Sequence, residues 1–278
     1  MKIKYALLDK LNSLTNKEVD FILYVARYQD DYGCIRGMYY RDVCENADMC
    51  KQTFYDTLRS LQAQGIITYS RVNQDYDITI LDNDFSYPGA YHEGYINVSR
   101  QVFHTRRFHE LKAKEKLLLL HFMKITHSAS GSYQIGTGKL YTKYMQLLGV
   151  TKRVLRGYLH SLKKFFAIGI KDGKYFISSL RTVFNDRVEI SETDQYMRHL
   201  VGVSCRRAKI KNCAPAAVKD VVTIMKQYRK EAQESIGRSI FEIVDDCICQ
   251  AKELNSKYIH KLVRRTLGLI WSGQEMEF

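Results

Sequence analysis

Thr151, Lys152, Arg153, Arg156 and His160 share one short stretch with Leu155, Leu159 and Leu162. On a helix, residues three and four apart are neighbours, so the leucines form one stripe and the polar set faces away from it. The chemistry available to such a face is hydrogen-bond donation. A guanidinium can give two parallel bonds to guanine, and a threonine and a lysine at a helix start suit phosphates. Lys171 and Lys174 flank Asp172-Gly173, a hairpin turn that would carry two more cations at its tip. An earlier set, Lys51, Gln52, Thr53, Tyr55 and Arg59, has similar spacing, with Arg71 close to a second hairpin. Gln52 suits adenine and Arg59 a phosphate, whereas Asp56 would repel the backbone of a polyanion. The plain alternative for any single lysine in these sets is a solvated helix face.

No arrangement suited to bond-making chemistry accompanies them. Gly131, Gly136 and Gly138 lack the Lys-Ser/Thr that completes a phosphate-binding loop, and no His-Glu-x-x-His occurs. His104, His109, His121 and His127 are scattered, and the spacing of His104 and His109 does not put them on one helical face. Asp245-Asp246 reads as a solvated helix edge. A tyrosine nucleophile would need a histidine cluster or an Arg-His-Arg set, and neither can be assembled. The expectation is a protein that is not an enzyme and that needs no cofactor or metal.

Seven cysteines, Cys34, Cys44, Cys50, Cys205, Cys213, Cys247 and Cys249, form no CxxC pair. Reduced thiols are expected, since Cys247-Ile248-Cys249 alone is a poor zinc signal. The longest apolar run, Leu117–Met123, is broken by His121, far short of the roughly 20 residues of a membrane span. With no secretory pattern at the N-terminus, a cytoplasmic protein is expected.

The net charge of +13 is unevenly placed: −3 over residues 1–90, +12 over 91–190 and +4 over 191–278. Arg100, Arg106, Arg107, Lys112, Lys114 and Lys116 add to the middle segment. An excess of that sign attracts polyanions and is the electrostatic footprint expected of nucleic-acid binding.

The chain also repeats itself. An offset of 101 places Lys51 on Lys152, Leu58 on Leu159, Ser60 on Ser161, Leu61 on Leu162 and Tyr40 on Tyr141. An offset of 97 places Leu14-Thr-Asn-Lys-Glu18 on Leu111-Lys-Ala-Lys-Glu115, the difference falling around Ser128–Ser132. The same order of elements in both copies points to duplication.

In the first copy, Thr15 with Glu18 forms a capping box, and Val19, Ile22, Leu23 and Ala26 recur at helical spacing up to Asp30-Asp31-Tyr32-Gly33. An extended piece over Cys34–Arg36 precedes a small helix over 39–45 and a longer one over 50–64, capped by Gly65. Strands over 66–72 and 76–81 then form a hairpin. In the second copy the helices are expected over 111–126, 140–148 and 151–165, and the hairpin strands over 166–170 and 175–178. Beyond residue 191, helices are expected over 191–207, 215–235, 236–254 and 256–270. Pro215 stands at a first-turn position, and Trp271 is an anchor in packing. Val218, Val221, Val222 and Met225 form one apolar stripe there; Ile240, Ile243, Val244, Cys247 and Ile248 form another. Arg206, Arg207, Lys209 and Lys211 make a basic cluster.

A small helix, a short turn, a helix with Leu-x-x-Leu ending at Gln64-Gly65-Ile66-Ile67, and a hairpin resemble the winged helix-turn-helix. Gly94-Tyr-Ile-Asn-Val98 resembles the strand that introduces winged helices in bacterial replication-initiator and DnaD-like proteins. The resemblance covers about residues 10–180. It implies a winged-helix domain over 1–88 and a second over 89–190; with the helices read beyond them as a C-terminal helical domain over 191–278, the expected fold is mainly α with small β-hairpins. It implies that double-stranded DNA is the partner, read by Thr151, Lys152, Arg153, Arg156 and His160, with Lys171 and Lys174 on the wing. The first copy, through Lys51, Gln52, Thr53, Tyr55, Arg59 and Arg71, either contacts DNA or binds protein. The C-terminal helices offer a surface for homodimerisation. A transcriptional regulator is the leading expectation. A replication initiator or replisome-loading protein of a plasmid, phage or conjugative element is the alternative, and contact with the corresponding machinery follows from either.

Overall fold

Two elements precede the first helix that periodicity reveals: a strand, β1 (Lys2–Lys4), and a short helix, α1 (Tyr5–Leu11). Ile3, Leu7, Leu8 and Leu11 are fully buried, so this segment belongs to the core. The computed structural model describes residues 1–97, 102, 105–128, 131–180 and 192–269. Arg100, His104, Ser191 and Trp271 lie outside the described residues, as do Val98, Ala129, Ser130 and Ile270. The described chain is mainly helical with small antiparallel sheets. It divides into two compact units, Met1–Arg71 with Asp75–Val188, and Glu189–Phe278 with Val72–Gln74.

In the first unit α2 (Asn16–Val25) starts at Thr15, whose hydroxyl oxygen accepts from the Glu18 amide while Glu18 accepts from the Thr15 amide. Strand β2 (Cys34–Tyr39), α3 (Tyr40–Asn46), α4 (Lys51–Ala63), β3 (Ile67–Val72) and β4 (Asp75–Ile80) follow. The same order then recurs after β5 (Tyr95–Asn97) and the single turn α5 (Arg106–His109). It runs through α6 (Ala113–Ser128), β6 (Ser132–Gly136), α7 (Thr137–Leu148), α8 (Lys152–Ser161), β7 (Phe166–Lys171) and β8 (Lys174–Ser179). The two sheets share one topology, β2-β4-β3 and β6-β8-β7.

Each sheet thus has three strands where the sequence predicts a two-stranded hairpin. Strand β6 starts at the edge of the insertion read around Ser128–Ser132 and runs through a stretch where no element is expected, and β2 runs three residues past the extended piece expected at Arg36. The helix expected over 151–165 also stops early: α8 ends at Ser161 and a 3-10 turn, Leu162–Lys164, carries the chain into β7.

The duplicated caps are visible in the geometry. The backbone amide of Thr15 donates to Glu18 Oε2 at 2.7 Å, and that of Lys112 donates to Glu115 Oε2 at the same distance. Lys112 has no side-chain oxygen, so the second copy keeps only that half of the box. Glu18 and Glu115 are both buried. Burial pushes the Glu18 carboxyl up, but hydrogen bonds from Ser60, Thr15 and Gln64 outweigh it and hold it below the usual carboxylate range.

One continuous apolar core runs through both copies, from Met1 to Ile177. Strand β1 pairs antiparallel with β5, Ile3 opposite Ile96. Helices α2 and α6, the equivalent first helices of the two copies, pack on each other. Their polar links are Lys116 Nζ to Asp20 Oδ1 at 2.7 Å and His121 Nε2 with Asn12 Oδ1, on the α1–α2 connection, at 2.9 Å. The segments 1–88 and 89–188 therefore share one unit.

The second unit holds α9 (Glu192–Arg207), α10 (Pro215–Glu231), α11 (Ile240–Cys249) and α12 (Ser256–Thr266) around a separate core. Pro215 sits in the first turn of α10, where its missing N–H leaves no bond unmade. The stripes are buried as expected except Val218, which is half-buried. The expected helix over 236–254 is much shorter. A π-helical turn, Ala232–Ile236, ends at Gly237 with φ 67°, Ser239 then caps α11, and the chain leaves the helix after Cys249. The last helix likewise stops at Thr266 instead of reaching residue 270.

Candidate nucleic-acid interface

Helix α8 is positioned by its inner stripe. Leu155 and Leu159 are buried, as is Leu162 in the turn beyond, while Lys152, Arg153, Arg156 and His160 are exposed. Thr151 is the N-cap and its hydroxyl oxygen accepts from the Val154 amide at 3.5 Å. No carboxylate occurs between Thr151 and Phe165. Beside the helix, Lys171 and Lys174 are cross-strand partners at the tip of the β7–β8 hairpin, both exposed. Asp172 and Gly173 make the turn with φ 48° and 70°, the left-handed geometry that a tight two-residue hairpin needs. Arg156, Leu159, His160, Lys163, Ile168, Ile170 and Tyr175 line the groove between helix and hairpin. Ile170, 62% exposed, projects an apolar side chain from the hairpin beside this groove.

Two tyrosines that sequence reasoning did not select lie under the cations. The Tyr141 and Tyr175 hydroxyls are 2.9 Å apart, and Arg156 Nε donates to the Tyr141 oxygen at 3.4 Å. Lys152 Nζ stands 5.0 Å from the centre of the Tyr141 ring, within cation–π range. Burial raises the Tyr141 phenol, but the bonds from Tyr175 and Arg156 and the charges of Arg156 and Lys152 more than reverse this. Tyr175 goes the other way, pushed up to about 12 by burial and by its bond to Tyr141. The repeat alignment of Tyr40 with Tyr141 was the one sequence signal for this position.

Several cations of the middle segment have partners within the protein. Lys114 Nζ donates to the Leu148 carbonyl at 2.6 Å, satisfying the end of α7, and Lys116 is buried against Asp20. Arg106 and Lys164 both pair with Glu110, at 3.0 and 3.4 Å. Glu110 is already subtracted in the net count of +12 and both of its partners stay exposed, so Lys116, neutralised by Asp20 of the first segment, is the cation that the count overstates.

The first copy builds the same frame with different content. Lys51, Gln52, Arg59 and Arg71 are exposed, and Thr53 and Tyr55 are half-buried. Cys50 stands where Thr151 stands in the second copy. Its sulfur caps α4, accepting from the Thr53 amide at 3.5 Å and lying 3.1 Å from the Thr53 hydroxyl. Asp56 engages two of the candidate readers: Gln52 Nε2 donates to it at 2.9 Å and Arg59 Nη2 lies 3.4 Å away. Tyr55 turns into an aromatic cluster with Phe54, Tyr40 and Tyr76. Lys51, 5.3 Å from the Tyr40 ring centre, repeats the relation of Lys152 to Tyr141.

Among the described residues no three His, Cys, Asp or Glu side chains gather as metal ligands, and no helix is long and apolar enough to cross a membrane. Cys247 is buried while Cys249 is exposed. Compared with protein-family models, curated proteins and solved structures, the chain has no significant match in any of the three.

Proposed function

We propose that this chain binds double-stranded DNA sequence-specifically through two tandem winged-helix units, the second making the principal contact. The observation that carries the reading is the outer face of α8. It presents Lys152, Arg153, Arg156 and His160 to solvent beside a hairpin tipped by Lys171 and Lys174, with no carboxylate along the helix. A helix of this width fits the major groove, where arginine reads guanine, and a hairpin beside it can reach the flanking phosphates. The repeated element order and the shared sheet topology support the winged-helix assignment of both copies.

The role we favour is transcriptional regulation without catalysis, with the helical unit available for dimerisation. The packing of two unequal copies into one core is the observation that fits a second reading, replication initiation, since a single chain of this kind would read an asymmetric site of the sort found in arrays of direct repeats.

Selection of duplexes from a random pool, followed by mapping of bound sites in genomic DNA, tests both. A defined site bound with an affinity that falls steeply as salt rises supports the reading, because phosphate neutralisation releases counterions. Promoter operators would support regulation and origin-type repeat arrays would support replication. No duplex binding at low salt would leave a protein-interaction role and defeat the proposal.

A further inference from the structure

An exposed arginine reads guanine well only if its guanidinium plane is already turned toward the base edge, since both parallel bonds depend on that orientation. Arg156 is exposed, yet its guanidinium has a partner within the protein. Its Nε–H donates to Tyr141 Oη, which leaves the two Nη atoms, the end that pairs bidentately with guanine, outside this contact. The Tyr141 oxygen is fixed in turn by the Tyr175 hydroxyl on β8, and its ring lies 5.0 Å from Lys152 Nζ and 5.9 Å from the Arg156 guanidinium carbon. One hydroxyl thus ties together α7, α8 and β8.

The first copy provides an internal comparison. Tyr40 and Lys51 keep the places of Tyr141 and Lys152, and Tyr76 is the second residue of β4 as Tyr175 is of β8, but Tyr55 occupies the place of Arg156. The Tyr55 ring packs 6.5 Å from Tyr40 and 6.2 Å from Tyr76. The frame is common to both copies and the arginine is particular to the second.

We infer that Tyr141 is a positioning residue for sequence readout, holding Arg156 in the orientation that recognises a guanine, and that the first copy lacks this readout because Tyr55 fills the same slot. The inference rests on the reading of α8 as the groove-facing helix.

Tyr141→Phe in the full chain tests it, since the variant keeps the ring, the packing and the contact with Lys152 and removes only the oxygen. The first measurement needs no DNA. In ¹⁵N-labelled protein, the Arg156 Nε–H, assigned with Arg156→Lys, is expected to exchange with solvent several-fold more slowly than that of Arg153. The difference should vanish in Tyr141→Phe. Equal exchange of the two arginines in the wild-type chain overturns the inference.

The second measurement compares the selected duplex with versions changed at each guanine in turn. Wild type should discriminate at one guanine by about tenfold. In Tyr141→Phe that ratio should fall at least fivefold, toward the value for Arg156→Ala. Affinity for an unrelated duplex and its salt dependence should stay as they were, and the Tm should fall by no more than the few degrees that one lost hydroxyl bond costs. An equal loss on every duplex would make Tyr141 merely structural and overturn the inference. Discrimination that survives Tyr141→Phe sinks the inference alone, whereas a wild-type chain preferring no duplex sinks the reading of the site and the inference with it.

Discussion

Lys116 Nζ lies 2.7 Å from Asp20 Oδ1, and this ion pair joins the first helix of one repeat to the first helix of the other. Both partners are largely shielded, with side-chain exposures of 11% and 20%. Water therefore screens the pair little, and loss of either partner would strand the other.

Asp20→Asn should for that reason destabilise the tandem unit by about 2–4 kcal/mol, the range for breaking a shielded pair from one side. The double variant Asp20→Leu with Lys116→Met should recover most of that loss, because two apolar groups of similar size remove the stranded charge. Thermal or urea unfolding of the three proteins provides the check. Equal stability of Asp20→Asn and wild type would show that the pair contributes nothing at the joint.

His121 supplies a pH signature. Burial lowers its pKa from the usual 6.5 to about 4, with Lys124 and Lys143 adding to the effect and Asp9 opposing it. Because the folded value lies below the unfolded one, neutral His121 is compatible with the fold at neutral pH, and stability is lost as pH falls from about 6.5 through 4. The loss should approach about 3 kcal/mol by pH 4, taking 1.36 kcal/mol per unit. Unfolding curves of His121→Gln, which can still donate to Asn12, should show a shallower decline over that window. Parallel declines in the two proteins would assign the acid sensitivity elsewhere.

On the proposed reading of α8, Arg153→Ala combined with Arg156→Ala should weaken binding to the selected duplex by at least a few kcal/mol, taking about 1–3 per bidentate contact. Lys171→Ala with Lys174→Ala should instead weaken all duplexes alike and flatten the salt dependence, as expected of phosphate contacts. A fluorescence titration at several salt concentrations separates the two effects. Normal binding by the double arginine variant would show that α8 is not the reading helix.

Asp56 makes the opposite prediction for the first repeat. It holds Gln52 and Arg59 on the outer face of α4 and adds a negative charge there. Asp56→Asn should raise duplex affinity several-fold and steepen the salt slope by up to about one, if α4 approaches a phosphate backbone. Stability should change by less than about 0.5 kcal/mol, since the Arg59 pair is exposed on both sides. An unchanged affinity would place the first repeat away from DNA and leave it to protein contacts.

The sequence by itself determined the features that act over a few residues. Leu155, Leu159 and Leu162 at helical spacing, Thr15 with Glu18 as a cap, and Asp172-Gly173 as a turn each specify local backbone through sterics and short-range bonds. The repeat follows from the same marks, and it correctly paired Glu18 with Glu115 and Tyr40 with Tyr141. Tertiary structure alone decided the pairing of Lys2–Lys4 with Tyr95–Asn97 and the third strand, Ser132–Gly136, in the second sheet. Three to five residues carry too little periodicity to announce a strand, and its partners lie far away in the chain. The candidate site divides in the same way. The cations of α8 are legible as a row, but nothing local says that Lys114 and Lys116 are held inside, that Asp56 takes up Gln52 and Arg59, or that Tyr141 lies beneath Arg156. A charge's availability depends on the distance to its counter-charge, and that distance is set by how α2, α6, α7 and β8 pack.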